Sequence, residues 1–327
     1  MSENAQTVHP WVGERRADVR FGVQVFPLPD DPNPSATVIG AGLVADEVGL
    51  DAFFIGDHPG YHVEPWLHLA AVAVQTKGVT LGSVVNCVMH RHPAMLGRLA
   101  ADLDRISGGR CLLGLGIGWN KPEFAQLGIP FEPVPDRQRA LEEAIRIIDG
   151  MFGDDPFDLD GKTWSTTGAT VGKAVQARRP ALLIAGAGDN TLRQVARHAD
   201  VSNFGSSANT GNVAEGGAPE RLAFLDRACE EIGRDPADVL RSHFTSWLML
   251  AETRDLALAK RDRYYPDGLT KEQSRTRIVG SPAEVVDYYC GLVTQGFRYL
   301  VVQIQDASDV ETIRLLGTEV APRLRPA

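Results

Sequence analysis

Short apolar runs recur along the chain, and each stops abruptly at polar or small residues. Eight of them read as strands, over residues 20–26, 51–56, 79–85, 110–117, 180–185, 200–204, 241–250 and 298–304. Segments of helical period lie between them. Residues 93–107 place Met95, Leu99, Leu103 and Ile106 on one predicted face and stop at Ser107-Gly108-Gly109, a glycine terminator. Residues 136–152 do the same with Leu141, Ala144, Ile145, Ile148 and Met151. Ser281-Pro282-Ala283-Glu284 opens a further helix as a capping box, and Ser308-Asp309-Val310-Glu311 repeats the pattern near the end.

Continuously apolar strands belong to parallel sheets covered on their outer face, because a half-solvated strand would alternate. Eight strand–helix units in 327 residues predict an α/β fold of the (β/α)8 TIM-barrel type. Three stretches exceed the minimal repeat. They are 118–135 after strand 4, 153–178 after helix 4, and 264–280 before strand 8. The first leaves the face where such barrels do chemistry, so it reads as a lid. Residues 19–327 read as one domain, and residues 1–18 as a flexible N-terminal arm, because they carry charge and proline without periodicity.

Composition narrows the partners. A net charge of −9 and a pI near 5.4 argue against nucleic acid or an anionic membrane. No run of 18 apolar residues is present, and the four cysteines lie far apart without a C-x-x-C pair. That pattern predicts a cytoplasmic, reduced protein with neither a disulfide framework nor a zinc knuckle.

The strand ends carry the candidate chemistry. Phe53-Phe54-Ile55 breaks into Gly56-Asp57-His58. Asp57 and His58 read either as a proton-handling pair or as a turn and a cap. Gly186-Ala187-Gly188-Asp189-Asn190-Thr191 joins strand 5 to a helix. It reads either as a phosphate cradle, with small residues and free N–H groups at a helix start, or as a tight turn needing glycine. Asn86-Cys87 ends strand 3, ahead of His90-Arg91-His92-Pro93. Two histidines before a helix-starting proline, with no third ligand nearby, do not make a metal site. Gly114, Gly116 and Gly118 alternate along a strand rather than open a helix, which excludes a Rossmann fingerprint and suggests room for a planar ring. Trp66 and Trp119 are candidate walls on the substrate side. There is no G-x-S-x-G elbow and no P-loop.

Taken together, these residues resemble the bacterial luciferase-like superfamily of flavin and deazaflavin oxidoreductases. Arg20-Phe21-Gly22, Gly56-Asp57-His58, Leu81–Cys87 with Arg91-His92-Pro93, and Ser107-Gly108-Gly109-Arg110 with Leu113–Trp119 carry the resemblance. Glu123-Phe124 with Leu127-Gly128, Ile184–Gly188 with Thr191-Leu192-Arg193, and Gly280-Ser281-Pro282 continue it, over about residues 19–325. The Asp57-His58 pair and the Asn86-Cys87 region resemble the branch that uses F-420, an 8-hydroxy-5-deazaflavin; FMN-dependent monooxygenases are the alternative, and cofactor-binding members without turnover a third.

The resemblance implies specific roles. Asp57, Val84, Val85, Asn86, Gly186, Ala187, Gly188 and Thr191 would contact the cofactor, with the phosphate at Gly186–Thr191 and a cis peptide at Val84–Val85 behind the ring. His58 would be the catalytic acid or base, with Asp57 beside it. Trp119 stands where sugar-phosphate dehydrogenases of this branch carry a glutamate, which favours a reductase acting on another small molecule, or an enzyme with a different acid. The resemblance also implies a homodimer, joined through helices near 65–76 and 93–107, where Leu67, Ala70, Ala71 and Val74 offer extra apolar surface.

Overall fold

The computed structural model describes residues 8–61, 63–205 and 217–324. The barrel strands are β1 (Arg20–Val25), β2 (Ala52–Ile55), β3 (Thr80–Cys87) and β4 (Cys111–Gly116). After a hairpin of β5 (Phe157–Asp160) and β6 (Ser165–Ala169) come β7 (Ala181–Ala185), β8 (Val201–Gly205), β9 (Leu240–Leu250), the short β10 (Ile278–Gly280) and β11 (Tyr299–Ile304). All pairings in the main sheet are parallel, in the order β1-β2-β3-β4-β7-β8-β9-β11, and β11 pairs back to β1. The sheet is therefore a closed (β/α)8 TIM barrel. The eight expected strands are all present within a residue or two.

Helices α1 (Pro10–Gly13), α2 (Pro34–Glu47), α3 (Pro65–Ala73), α4 (Pro93–Ser107), α5 (Lys121–Gln126) and α6 (Val134–Met151) cover the first half. Helices α7 (Asp189–His198), α8 (Gly217–Glu230), α9 (Arg254–Tyr264), α10 (Pro282–Thr294), α11 (Val310–Leu315) and α12 (Ala321–Leu324) follow. Apolar residues form the two clusters a barrel requires, and a small third one, Ile147, Met151 and Leu159, between α6 and the hairpin. One lies between strands and helices, and includes Phe53, Ile55, Leu69, Leu113 and Ile184. The other fills the lumen with Ala52, Phe54, Leu112, Leu183, Val201, Tyr299 and Val301.

The arm expected over residues 1–18 is different where it is described; residues 1–7 lie outside the described residues. Trp11 and Val12 belong to the lumen cluster and close the barrel floor. Polar ties fasten this plug to the strand starts. Trp11 Nε1 donates to Thr80 Oγ1 (3.4 Å), Arg15 Nε donates to Asp51 Oδ2 (2.9 Å), and the His9 ring meets the Arg179 carbonyl (2.9 Å). The polar sequence hides this, because Trp11 and Val12 are inserted from among charged residues that stay outside.

Two local expectations are also revised. In α4 the buried stripe is Leu96, Ala100, Leu103 and Ser107, whereas Met95 and Ile106 are exposed. The last helical segment is capped by Asp309, whose side chain accepts from Thr312 N–H, while Ser308 Oγ bonds Asp306. The capping box at Ser281–Glu284 is formed as read. The insertion after α6 is an antiparallel hairpin, and Glu143 of α6 accepts 2.9 Å bonds from the N–H groups of Lys162, Thr163 and Trp164 in its turn. Among the described residues, no helix is long and apolar enough to cross a membrane.

Candidate active site at the barrel mouth

A cavity of about 470 Å³ opens at the C-terminal ends of the strands. Gln24, Val84, Gly116, Ala185, Asn203, Phe244 and Gln303 bring seven of the strands to its wall, and Asp57 and His58 follow directly on β2. Its size suits a small-molecule cofactor and substrate.

His58 is held from the lid. Its Nδ1 lies 2.8 Å from Glu123 Oε1 and 3.0 Å from Oε2. Glu123 comes from α5, which starts on Lys121-Pro122 with proline in its first turn. The next residue, Phe124, is buried edge-on against Phe131 (4.9 Å) and His90 (5.3 Å). That anchor turns Glu123 inward. A carboxylate on Nδ1 fixes the tautomer and the orientation of the imidazole. Phe26 and Trp119 flank the imidazole, with ring centroids 5.8 and 5.9 Å away.

Asp57 has a different task. Arg91 Nη1 donates to its Oδ2 at 2.7 Å, the Cys87 backbone N–H at 3.3 Å, and His90 Nδ1 stands 3.6 Å away. Burial alone would push this carboxyl up, but His90 and the Arg91 charge outweigh it and hold it below the ordinary carboxylate range. Asp57 is thus a permanent anion at the cavity edge. Arg91 also reaches Glu64 at the start of α3 (2.8 Å), which ties down the loop after β3. Burial pushes the Cys87 thiol up to about 12, so it stays neutral.

The Val84–Val85 peptide is cis, and both residues line the cavity. Gln24 Nε2 donates to the Val84 carbonyl. The alternate glycines of β4 make room for this strand more than for a ring. A Cβ on Gly116 would lie 2.7 Å from Val85 Cγ2, and one on Gly114 would lie 2.3 Å from the Ser83 carbonyl. Asn86 and Trp66 lie behind the wall and do not line the cavity. Asn86 Oδ1 accepts from Trp66 Nε1 (3.1 Å), and Asn86 Nδ2 donates to the Gly114 carbonyl (2.9 Å). Trp119 does line it, 45% exposed.

Three strands round the barrel from His58, Gly186, Gly188 and Thr191 line the cavity, while Ala187 is buried beside them. Gly186 sits at φ +133°, where a side chain would be strained. Gly188 is the N-cap of α7 and supplies no side-chain cap, so the first-turn N–H groups remain available to an anion. Gln138 Nε2 donates to Thr191 Oγ1 (2.8 Å) and sets the hydroxyl in place. His92 is elsewhere engaged: its Nδ1 caps α4, and its Nε2 meets the Ser165 carbonyl.

The luciferase-like monooxygenase family model matches residues 19–284 of the chain. The chain belongs to this family. Among curated proteins it is 27% identical over 341 residues to the F420-dependent glucose-6-phosphate dehydrogenase of Microbacterium testaceum, covering 94% of this chain and 98% of that one. It is 29% identical over 356 residues to the 5,10-methylenetetrahydromethanopterin reductase of Methanopyrus kandleri, covering 94% and 99%. Among solved structures, the coenzyme F420-dependent tetrahydromethanopterin reductase of Methanopyrus kandleri superposes with a TM-score of 0.75 at 21% identity, over 94% of this chain and 99% of that chain.

Within this luciferase-like barrel, several wall residues escaped the sequence reading. Glu123 is the foremost, although it lies only four positions beyond Trp119. Arg137 lines the cavity and donates to the carbonyls of Ile117 (3.1 Å) and Gly118 at the root of the lid. Arg277 and Trp247 line it too, and Trp247 holds a left-handed φ of 54°, unusual for a bulky residue. The signal for Glu123 was available in principle, as a charge inside a proline-rich insertion beside a strand end, whereas Arg137 lies beyond that insertion, in α6.

Proposed function

We propose that the chain is an F420-dependent oxidoreductase that moves a hydride between the deazaflavin and a small organic substrate. The observation that carries this reading is the His58–Glu123 pair at the edge of a cavity that also holds an uncapped helix start and a glycine turn. The kinship with an F420-dependent dehydrogenase along nearly the whole chain supports the cofactor.

The residues present fit such a group. Gly186, Gly188 and Thr191 would hold its phosphate, Val84 and Val85 its rear face, and Asp57 its polar edge. When bound, the deazaflavin supplies a hydride carrier that reacts poorly with oxygen, because carbon stands where a flavin has its reactive nitrogen. The protein does the rest. His58 Nε2 gives a proton to the substrate oxygen in the reductive direction and takes it back in the other. Glu123 orients the ring and stabilises the positive charge it carries. Phe26, Trp119 and Trp247 wall the substrate side and limit water there.

Titration of purified protein with F-420 and with FMN, followed by fluorescence, tests the reading. Tight F-420 binding with weak or absent FMN binding is expected. The reverse result replaces it with an FMN-dependent monooxygenase. F-420 binding with no turnover across a broad panel of carbonyl and alkene substrates leaves a cofactor-binding protein.

The proposal extends to assembly and compartment. Leu67 on α3 and Val74 at its C-cap are 72% and 71% exposed, and Met95 and Ile106 on the neighbouring α4 are 51% and 48% exposed. A second copy of the chain covers this face, giving a homodimer. The four free cysteines, three of them buried, fit a reducing cytoplasm.

A further inference from the structure

A second, smaller cavity of about 150 Å³ adjoins the mouth and shares Asp57, His58 and His90 with it. Its outer end is lined by Glu64 and Leu127, both exposed. At its inner end the His90 and Asp57 side chains are each 4% exposed. His58 stands where the two cavities meet.

His90 is the unexplained group here. Both ring nitrogens are buried, and neither has a hydrogen-bond partner among the described residues; Nδ1 lies 3.6 Å from Asp57 Oδ2, beyond hydrogen-bond distance. A buried polar group left in that state costs about 1–3 kcal/mol. Water would remove the cost, and the 150 Å³ cavity, where Asp57, Glu64, His90 and Arg91 stand among apolar neighbours, has room for a handful of molecules at about 30 Å³ each.

We infer that the side cavity is a water-filled proton passage to His58, with His90 as its relay. The inference rests on the proposed acid–base role of His58. During turnover, cofactor, substrate, Trp119 and the α5 lid fill the main mouth, so bulk water does not resupply His58 from that side. Each reductive turnover breaks the Nε2–H bond of His58 and forms an O–H bond on the substrate. A cavity water then gives a proton to His58 as its own O–H bond breaks. That water recovers a proton from the file behind it, through the two ring nitrogens of His90 and out to solvent past Glu64 and Leu127. No electrons move in these steps. The Asp57 carboxylate, held charged by Arg91, stabilises His90 while it carries the proton.

Two variants test the passage. His90→Phe removes the relay, and Leu127→Trp plugs the outer end without removing a polar group. In both, steady-state turnover with reduced F-420 should fall at least tenfold while the F-420 Kd stays unchanged, and the solvent deuterium isotope effect on kcat should rise. Added imidazole should restore part of the His90→Phe rate. Unchanged turnover and isotope effect in Leu127→Trp overturn the passage while leaving the hydride-transfer reading intact. A wild-type protein that fails to bind F-420 overturns that reading instead. A crystal structure settles the passage independently of activity: ordered water within hydrogen-bond distance of His90 supports it, and a dry side cavity overturns it.

Discussion

His58 Nδ1 and Glu123 Oε1 meet at 2.8 Å although 65 positions separate them in the chain. One comes from the rim of β2, the other from the lid helix after β4. The imidazole is therefore oriented only when the lid is in place.

Glu123→Gln tests this directly. The substitution keeps the shape and removes the charge. A charge-assisted hydrogen bond contributes about 1.5–3 kcal/mol, so kcat should fall roughly 10- to 100-fold with little change in F-420 affinity. A change in KM alone would assign Glu123 to substrate binding.

Gly188→Val should weaken F-420 binding more than tenfold, over ~1.4 kcal/mol. A Cβ at this position meets nothing within 4 Å, and its φ is an ordinary −68°. The fold tolerates the side chain, and the valine would occupy the space proposed for the phosphate. Calorimetric titration beside a thermal melt separates the two effects; unchanged affinity removes this turn from the site.

The legible part of this protein was its frame. Buried parallel strands such as Phe53–Ile55 and Leu112–Leu115 are apolar on both faces, and that shows in one dimension. The glycine turn at Gly186–Gly188 was legible for the same reason, since φ and close approach restrict the residue locally. Glu123 was not, because its role depends on the angle at which Phe124 seats α5. The α4 stripe was misread because Met95, Leu99 and Ile106 recur with the same period as the buried Leu96, Ala100 and Leu103. Periodicity alone does not say which of two adjacent apolar stripes faces inward. Trp66, in the first turn of α3, and Asn86, at the end of β3, satisfy one another behind the wall, a pairing that only three dimensions reveal.

His243 sets an acid limit on stability. Burial pushes its imidazole down to about 4. An unfolded histidine titrates near 6.5, so between these values the unfolded chain holds a proton that the folded chain does not. Stability should fall as pH drops from about 6.5 towards 4, by up to roughly 3 kcal/mol. Denaturant titrations at several pH values should show a shallower slope for His243→Asn than for the wild type. Equal slopes would place the acid sensitivity elsewhere.

Val74→Asp should yield a monomer. Val74 is 71% exposed, so the change costs the folded barrel little, while a second copy would have to bury the carboxylate. Sedimentation at micromolar concentration reads the outcome, and a monomeric wild type would sink the proposed dimer.

Trp11→Ala should destabilise the chain by about 3–5 kcal/mol, the usual cost of emptying a buried indole site. A drop below 1 kcal/mol in chemical denaturation would mean that the floor plug is dispensable.

That plug divides the molecule into a part that must be kept and a part that is open to change. Its ties to Asp51, Thr80 and Arg179 gather the strand starts at the end remote from the chemistry. Loops on the other rim can then lengthen, shorten or change sequence without unfastening the barrel. A lineage, or an engineer, that seeks a new substrate has the lid and the loop after β9 to work with, while a mutation load placed on residues 9–15 is felt as lost protein rather than altered specificity.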